Sequence, residues 1–233
     1  MSDLKLVVFD CDGVMFDSRG ANLHFYNQVR THFGHPVMDE EELDYVHIHH
    51  VVDSVNHIMR HWPTDLAAAH EYRKSLDYKA FIPQMTIEPD LVEFLELITP
   101  TCRTAISTNR TTTMALLLDL FNLRKYFELV VTAMDVANPK PHPEALHKIL
   151  AHFGMQPGEG VFIGDSLVDA AHAQAVGMRL IAFKNPTLPA DYHVNSFMEI
   201  TRLPLMACFT AGKKAAERRV NARSTSGLAR TVE

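Results

Sequence analysis

With 233 residues, 47% of them apolar and 21% charged, the chain has an ordinary soluble globular balance and is long enough for one large or two small cores. Its formal charge of -6 is uneven: six bases and two acids follow Gly212, so the rest carries 16 bases against 26 acids, a poor general partner for nucleic acid. No apolar run nears the ~18 residues of a membrane helix and no basic-then-apolar leader opens the chain, while three cysteines without a C-x-x-C pair fit a reducing cytoplasm rather than a disulfide framework.

Residues 4–9 (LKLVVF) form a Val-rich apolar run closed by Asp10-Cys11-Asp12-Gly13, which reads as a strand buried on both faces. Helical patterns follow over 19–33, 39–61 and, after the interruption at Pro63, from 64 or 65 through 80. No strand pattern falls between 16 and 81, so this stretch is expected to be an all-helical insert. Beyond it, helices over 89–98, 111–121, 143–153 and 166–176 alternate with strands over 102–107, 128–132, 160–164 and 178–183. Such alternation predicts βαβ units and a parallel sheet. The expected fold class is α/β: a Rossmann-like core (1–16 and 84–207), a helical cap (17–83) and a basic tail (208–233) that is a frayed helix or disordered extension.

In an open α/β sheet, residues just past the strands meet along one edge. Asp10 and Asp12 are two acids aimed at that edge, or else the side chains of a turn. Ser107-Thr108-Asn109 offers hydroxyl and amide donors for an anion, or a helix cap. Asn138-Pro139-Lys140-Pro141 holds an ammonium in extended backbone between prolines. Gly164-Asp165-Ser166-x-x-Asp169 contains a capping pattern that accounts for Asp169 but not for Asp165. If Asp10, Asp12 and Asp165 converge, each pair repels by roughly 1–4 kcal/mol, which a bound divalent cation relieves; hard oxygen ligands favour Mg2+.

These four segments in this order resemble the motifs of the haloacid dehalogenase superfamily, over roughly residues 4–183. A helical cap after the first motif is similar to the phosphoglycolate phosphatase and β-phosphoglucomutase-like group. The resemblance implies a Mg2+-dependent phosphatase of a small phosphorylated metabolite, phosphoglycolate or sugar phosphate-like. Asp10 is then the nucleophile and Asp12 the acid and base. Mg2+ falls to Asp10, the Asp12 carbonyl and Asp165, with Asp169 outside the ligand sphere, and Thr108, Asn109 and Lys140 hold the phosphoryl oxygens. Asp12 speaks against the carbon–halogen and carbon–phosphorus branches. The alternatives are a phosphomutase and a non-catalytic protein that binds phosphorylated ligands.

The cap is expected to select the substrate. Nine of the 14 histidines lie between His24 and His70. His47 and His50 are candidates for a second anionic group, and Asn22 and His24 are weaker substrate contacts. His57 and His61 sit one helical turn apart, a spacing that also admits zinc, without an evident third ligand. Leu23, Tyr26 and Trp62 read as cap core. A cysteine phosphatase centred on Cys11 or Cys102 is disfavoured because the C-x5-R pattern fails: Asp17 and Thr108 stand where those cysteines would require arginine.

Overall fold

The computed structural model describes residues 4–207, so the basic run after Gly212 lies outside the described residues. Strand β1 (Leu6–Phe9) leads to a short strand β2 (Phe16–Asp17) and four helices, α1 (Arg19–His32), α2 (Glu40–Ile48), α3 (Val51–Ile58) and α4 (Leu66–Ser75). A second short strand, β3 (Thr86–Ile87), pairs antiparallel with β2 and closes this excursion at its base. The chain then alternates through α5 (Leu91–Ile98), β4 (Arg103–Ser107), α6 (Met114–Leu120), β5 (Leu129–Val131), α7 (Glu144–Phe153), β6 (Gly160–Gly164), α8 (Leu167–Val176) and β7 (Arg179–Phe183). Strand β8 (Tyr192–Val194) and helix α9 (Phe197–Ile200) complete it.

The main sheet has the order β5-β4-β1-β6-β7-β8 with every pairing parallel. Alternate residues of β1 go to opposite faces, as the pleat requires. Leu6 and Val8 pack with Leu146, Phe162 and Leu180, whereas Val7 and Phe9 pack with Phe94, Phe183 and Phe197. Both faces are therefore covered, which is why the strand sequence is continuously apolar. Phe9 anchors one face, its ring 5.5–6.2 Å from those of Phe127, Phe197 and Phe94. Phe9 also stands level with Ile106 and Ile163 in the neighbouring strands. Asp10, Ser107 and Gly164 consequently leave the sheet side by side.

The expected single helix over 39–61 is two helices. Asp39 starts α2 with a reciprocal capping box to Glu42, and the chain turns extended at His49 and His50. The His50 side chain accepts from the Val52 amide and starts α3. Leu43, Val46, Val55 and Ile58 are buried on the two sides of the break, and no Pro or Gly marks it. Strands β2, β3 and β8 were not anticipated; two or three residues are too few for an alternation to register. Helix α6 begins at Met114 rather than 111, leaving Arg110–Thr113 as a loop beside the strand tips. Within the insert, Glu42 is buried between Arg30 and Arg60, and Trp62 stacks on His35 at 4.1 Å with the Arg30 guanidinium also over its ring.

Candidate active site

Lys140 is the centre of the strand-tip cluster. Its Nζ donates to Asp10 Oδ1 at 2.6 Å and to Asp169 Oδ1 at 2.7 Å, and all three residues are buried. Burial alone would strip the lysine of its proton, but the two carboxylates override it and hold it firmly charged. Asp169 Oδ2 is committed as well, accepting from the Ser166 hydroxyl at 2.7 Å and from the Asp165 and Ser166 amides at 3.2 Å. Both Asp169 oxygens are thus occupied inside the protein, and its carboxyl stays below the usual range despite burial.

Asp165 is the opposite case. Its carboxylate has no ion-pair partner among the described residues, while burial and the nearby Asp169 and Asp10 charges push it up to about 9. Asp10 is raised to about 7 by burial, with Lys140 opposing. Ligand oxygens of Asp10, Asp165 and Asp169 lie within 4.8 Å of one another, the one such group of His, Cys, Asp and Glu among the described residues. Three carboxylates served by a single lysine, with one left uncompensated, are a donor set that fits a hard divalent cation. Gly13 makes the approach possible: its φ is +76°, and a Cβ there would fall 2.0 Å from Asp165 Oδ2.

Asp12 stands apart from that group. Its Oδ1 accepts from Arg110 Nη2 at 2.5 Å. Burial would raise the Asp12 carboxyl, but the guanidinium beside it holds it below its ordinary value. Arg110 also donates to Thr113 Oγ1 at 3.1 Å. Arg110 was missing from the expected site, although it directly follows Thr108-Asn109.

Thr108 is buried, and its hydroxyl accepts from the Arg110 amide at 3.1 Å. Asn109 donates to the Lys140 carbonyl at 3.1 Å, tying two strand ends together, and its Oδ1 is buried without a hydrogen-bond partner. Ser107 turns away: its hydroxyl meets His172 Nε2 at 3.0 Å beneath the site. Asn185, on the loop after β7, donates to the Asp165 carbonyl at 2.8 Å.

A cavity of about 550 Å3 opens between the sheet edge and the helical insert. Asp10, Asp12, Thr108, Asn109, Lys140 and Asp165 line its floor. The insert contributes Asn22, His47 and His50, together with Arg73, which the sequence reading passed over. His24 does not reach it: the side chain is exposed and bonds back to the Gly20 carbonyl at 2.9 Å, as a helical histidine readily does. His57 stacks on Tyr45 at 3.7 Å, and neither it nor His61 joins a metal-competent group among the described residues. Tyr26 is buried in the cap core and also touches the cavity wall.

A parallel sheet bearing a helical insert after its first strand, with acids and one lysine at the strand tips, defines a hydrolase of the phosphoric monoester class. The chain belongs to the haloacid dehalogenase-like hydrolase family, whose profile matches residues 7–183. It is 29% identical to a phosphoglycolate phosphatase of Chromobacterium violaceum over 86% of this chain and 96% of that protein. It is 25% identical to the pyrophosphatase PpaX of Bacillus pumilus, over 76% and 82% of the two chains. Among solved structures, a subfamily IA hydrolase of this superfamily from Geobacter sulfurreducens is 39% identical, with a TM-score of 0.74 over 88% of this chain and 97% of that one.

Proposed function

We propose that the protein is a Mg2+-dependent phosphatase of a small phosphorylated metabolite, with an aspartyl-phosphate on Asp10 as intermediate. The observation that carries this reading is the pair of acids at one strand tip held in different states. Asp10 is bound to Lys140, and Asp12 is bound to Arg110 two residues further on. A binding protein for phosphate needs the cations but not the two acids.

In the first half-reaction an Asp10 oxygen attacks phosphorus while the ester oxygen leaves with its bonding electrons and takes a proton from Asp12. In the second, Asp12 removes a proton from water as that water attacks phosphorus, and Asp10 departs as the carboxylate. The Arg110 pair sets Asp12 up as the base of the second step; donating a proton in the first requires that pair to part. Lys140 and Asn109 belong to the positive and polar rim around the transferring group, with Thr108 beside them. Asp10, the Asp12 carbonyl and Asp165 would hold Mg2+, which when bound supplies charge neutralisation at the phosphoryl oxygens. Asp169 fixes Lys140 from behind. The helical insert forms one wall of the cavity of about 550 Å3 above these residues.

The test is phosphate release by the purified protein with Mg2+ across glycolate, sugar, nucleotide and inorganic pyrophosphate substrates. Turnover of at least one, acid-stable label on the native enzyme after quenching and its absence from Asp10→Asn support the reading. Silence across the panel refutes it.

A further inference from the structure

Asp10 and Asp165 leave their strands directly, but Lys140 does not: it stands in the connection between β5 and α7, well past the last residue of β5. Pairing within the sheet therefore does not place its ammonium. Upstream, the Glu144 carboxylate accepts from the Ala137 and Asn138 amides at 2.9 and 3.0 Å. At the lysine itself, the His142 amide donates to the Pro139 carbonyl at 3.0 Å, and Asn109 donates to the Lys140 carbonyl at 3.1 Å. Pro141 and His142 are exposed, so beyond Lys140 the turn is open to water on its outer side.

His172 holds the inner side. Its Nδ1 lies 2.9 Å from the His142 carbonyl and its Nε2 3.0 Å from the Ser107 hydroxyl. The ring is wholly buried and kept neutral by that burial, so its one proton goes to the carbonyl and Nε2 accepts from Ser107. His172 follows Asp169 by three residues on α8, which puts both on one helix face. Asp169 thus grips Lys140 by its ammonium, while His172 grips the backbone two residues further on. Ser107, the last residue of β4, ties the imidazole to the sheet. Phe162 of β6 packs against both, with its ring 5.5 Å from that of His172 and its centre 5.5 Å from Lys140 Nζ. Neither His172 nor Ser107 lines the cavity.

Building on the phosphatase reading above, we propose that His172 is a positioning residue: bridged between Ser107 and the His142 carbonyl, it sets the backbone of the Lys140 turn so that the ammonium meets Asp10 and the transferring phosphoryl group. The ammonium is buried and spans two carboxylates, so it cannot follow a displaced backbone without lengthening one of those bonds. Misplacing a reacting group by about 1 Å costs roughly a hundredfold in rate.

Two measurements test this, one of them independent of turnover. Buried, hydrogen-bonded ammonium protons exchange slowly with water, so nitrogen-labelled lysine should give a Lys140 ammonium resonance by NMR, identified by its loss in Lys140→Arg. His172→Leu should lose that resonance to exchange and lower kcat by about a hundredfold. His172→Gln, which offers both an N–H for the carbonyl and an acceptor for Ser107, should recover most of each. Ser107→Ala should lower kcat by about two- to tenfold, the worth of one neutral hydrogen bond, and it carries the test should His172→Leu fail to fold. Ile149→Ala, a truncation buried on the same face of the sheet, should melt earlier yet keep the resonance and kcat. A sharp Lys140 resonance in His172→Leu, or native kcat in that variant or in Ser107→Ala, overturns the proposal. So does loss of the resonance in Ile149→Ala, which would make the effect one of general destabilisation. A native enzyme silent across the substrate panel, with a resonance that still depends on His172, would refute the phosphatase reading and leave the positioning of Lys140 standing.

Discussion

Arg110 and Asp12 face each other across the tips of adjacent strands, Nη2 to Oδ1 at 2.5 Å, with both side chains largely withdrawn from solvent. The guanidinium keeps Asp12 ionised to lower pH than a buried carboxyl would otherwise reach. Replacing Arg110 with Gln removes the override, so the Asp12 carboxyl rises. Steps that need Asp12 as a base then fail earlier on acidification. The acidic limb of the kcat profile should move to higher pH, and kcat at neutrality should fall about a hundredfold, the lower end of acid–base contributions. A pH profile of unchanged shape, scaled down, would show that Arg110 only supports the fold.

Gly13 should tolerate no side chain. Alanine there must adopt a φ of +76° and place its Cβ 2.0 Å from an Asp165 oxygen. The backbone cost alone is about 1–3 kcal/mol. The larger effect is functional, because Asp165 has to swing out of the acidic group. Gly13→Ala is expected to fold with a lowered unfolding midpoint and to lose its response to Mg2+. Native-like metal stabilisation in this variant would contradict the geometry.

Most of the cavity floor was legible in the sequence because Asp10, Thr108, Asn109 and Asp165 directly follow apolar strand runs, whereas Lys140 stood out through the prolines on either side of it. Asp10, Lys140 and Asp165 needed only the topology to be brought together. The cap wall was less legible. His47 and His50 stand out by residue type, but Arg73 is one of several bases on an amphipathic helix, and only its bond to His70, itself joined to Asn56, sets it apart. Arg110 was hidden for a different reason: its partner Asp12 lies 98 positions away in the chain. His24 failed because a helical histidine can satisfy itself on the preceding turn, which no pattern of residue types reveals.

His172 is fully buried under the site, joining the Ser107 hydroxyl at 3.0 Å to the His142 carbonyl at 2.9 Å. The carbonyl accepts only, so Nδ1 carries the proton and Nε2 accepts from Ser107. Burial, reinforced by Lys140, lowers the imidazole to about 4. The unfolded chain therefore binds this proton at higher pH than the folded one, and stability is lost as pH falls from about 6.5 towards 4, by about 3 kcal/mol in all. His172→Gln should be less stable at neutrality but show a shallower decline over that interval, read from urea midpoints at several pH values. Parallel declines would exclude His172 as the source.

The metal-free acidic group should show the opposite slope. Asp165, raised to about 9 by burial and by Asp169 and Asp10, and Asp10, raised to about 7, hold protons in the folded state that the unfolded chain releases at ordinary carboxylate pH. Between those limits the folded protein binds more protons, so its stability falls as pH rises. A divalent cation replaces the protons and removes the repulsion, and its affinity grows as they become easier to displace. The increase in melting temperature on adding Mg2+ should thus be larger at about pH 8.5 than at about pH 6. Asp165→Asn removes one of the mutually repelling carboxylates, so it should raise the metal-free melting temperature at alkaline pH while abolishing the Mg2+ increment. Thermal melts of both proteins with and without Mg2+ provide the check, and an Asp165→Asn protein that still gains from Mg2+ would place the cation elsewhere.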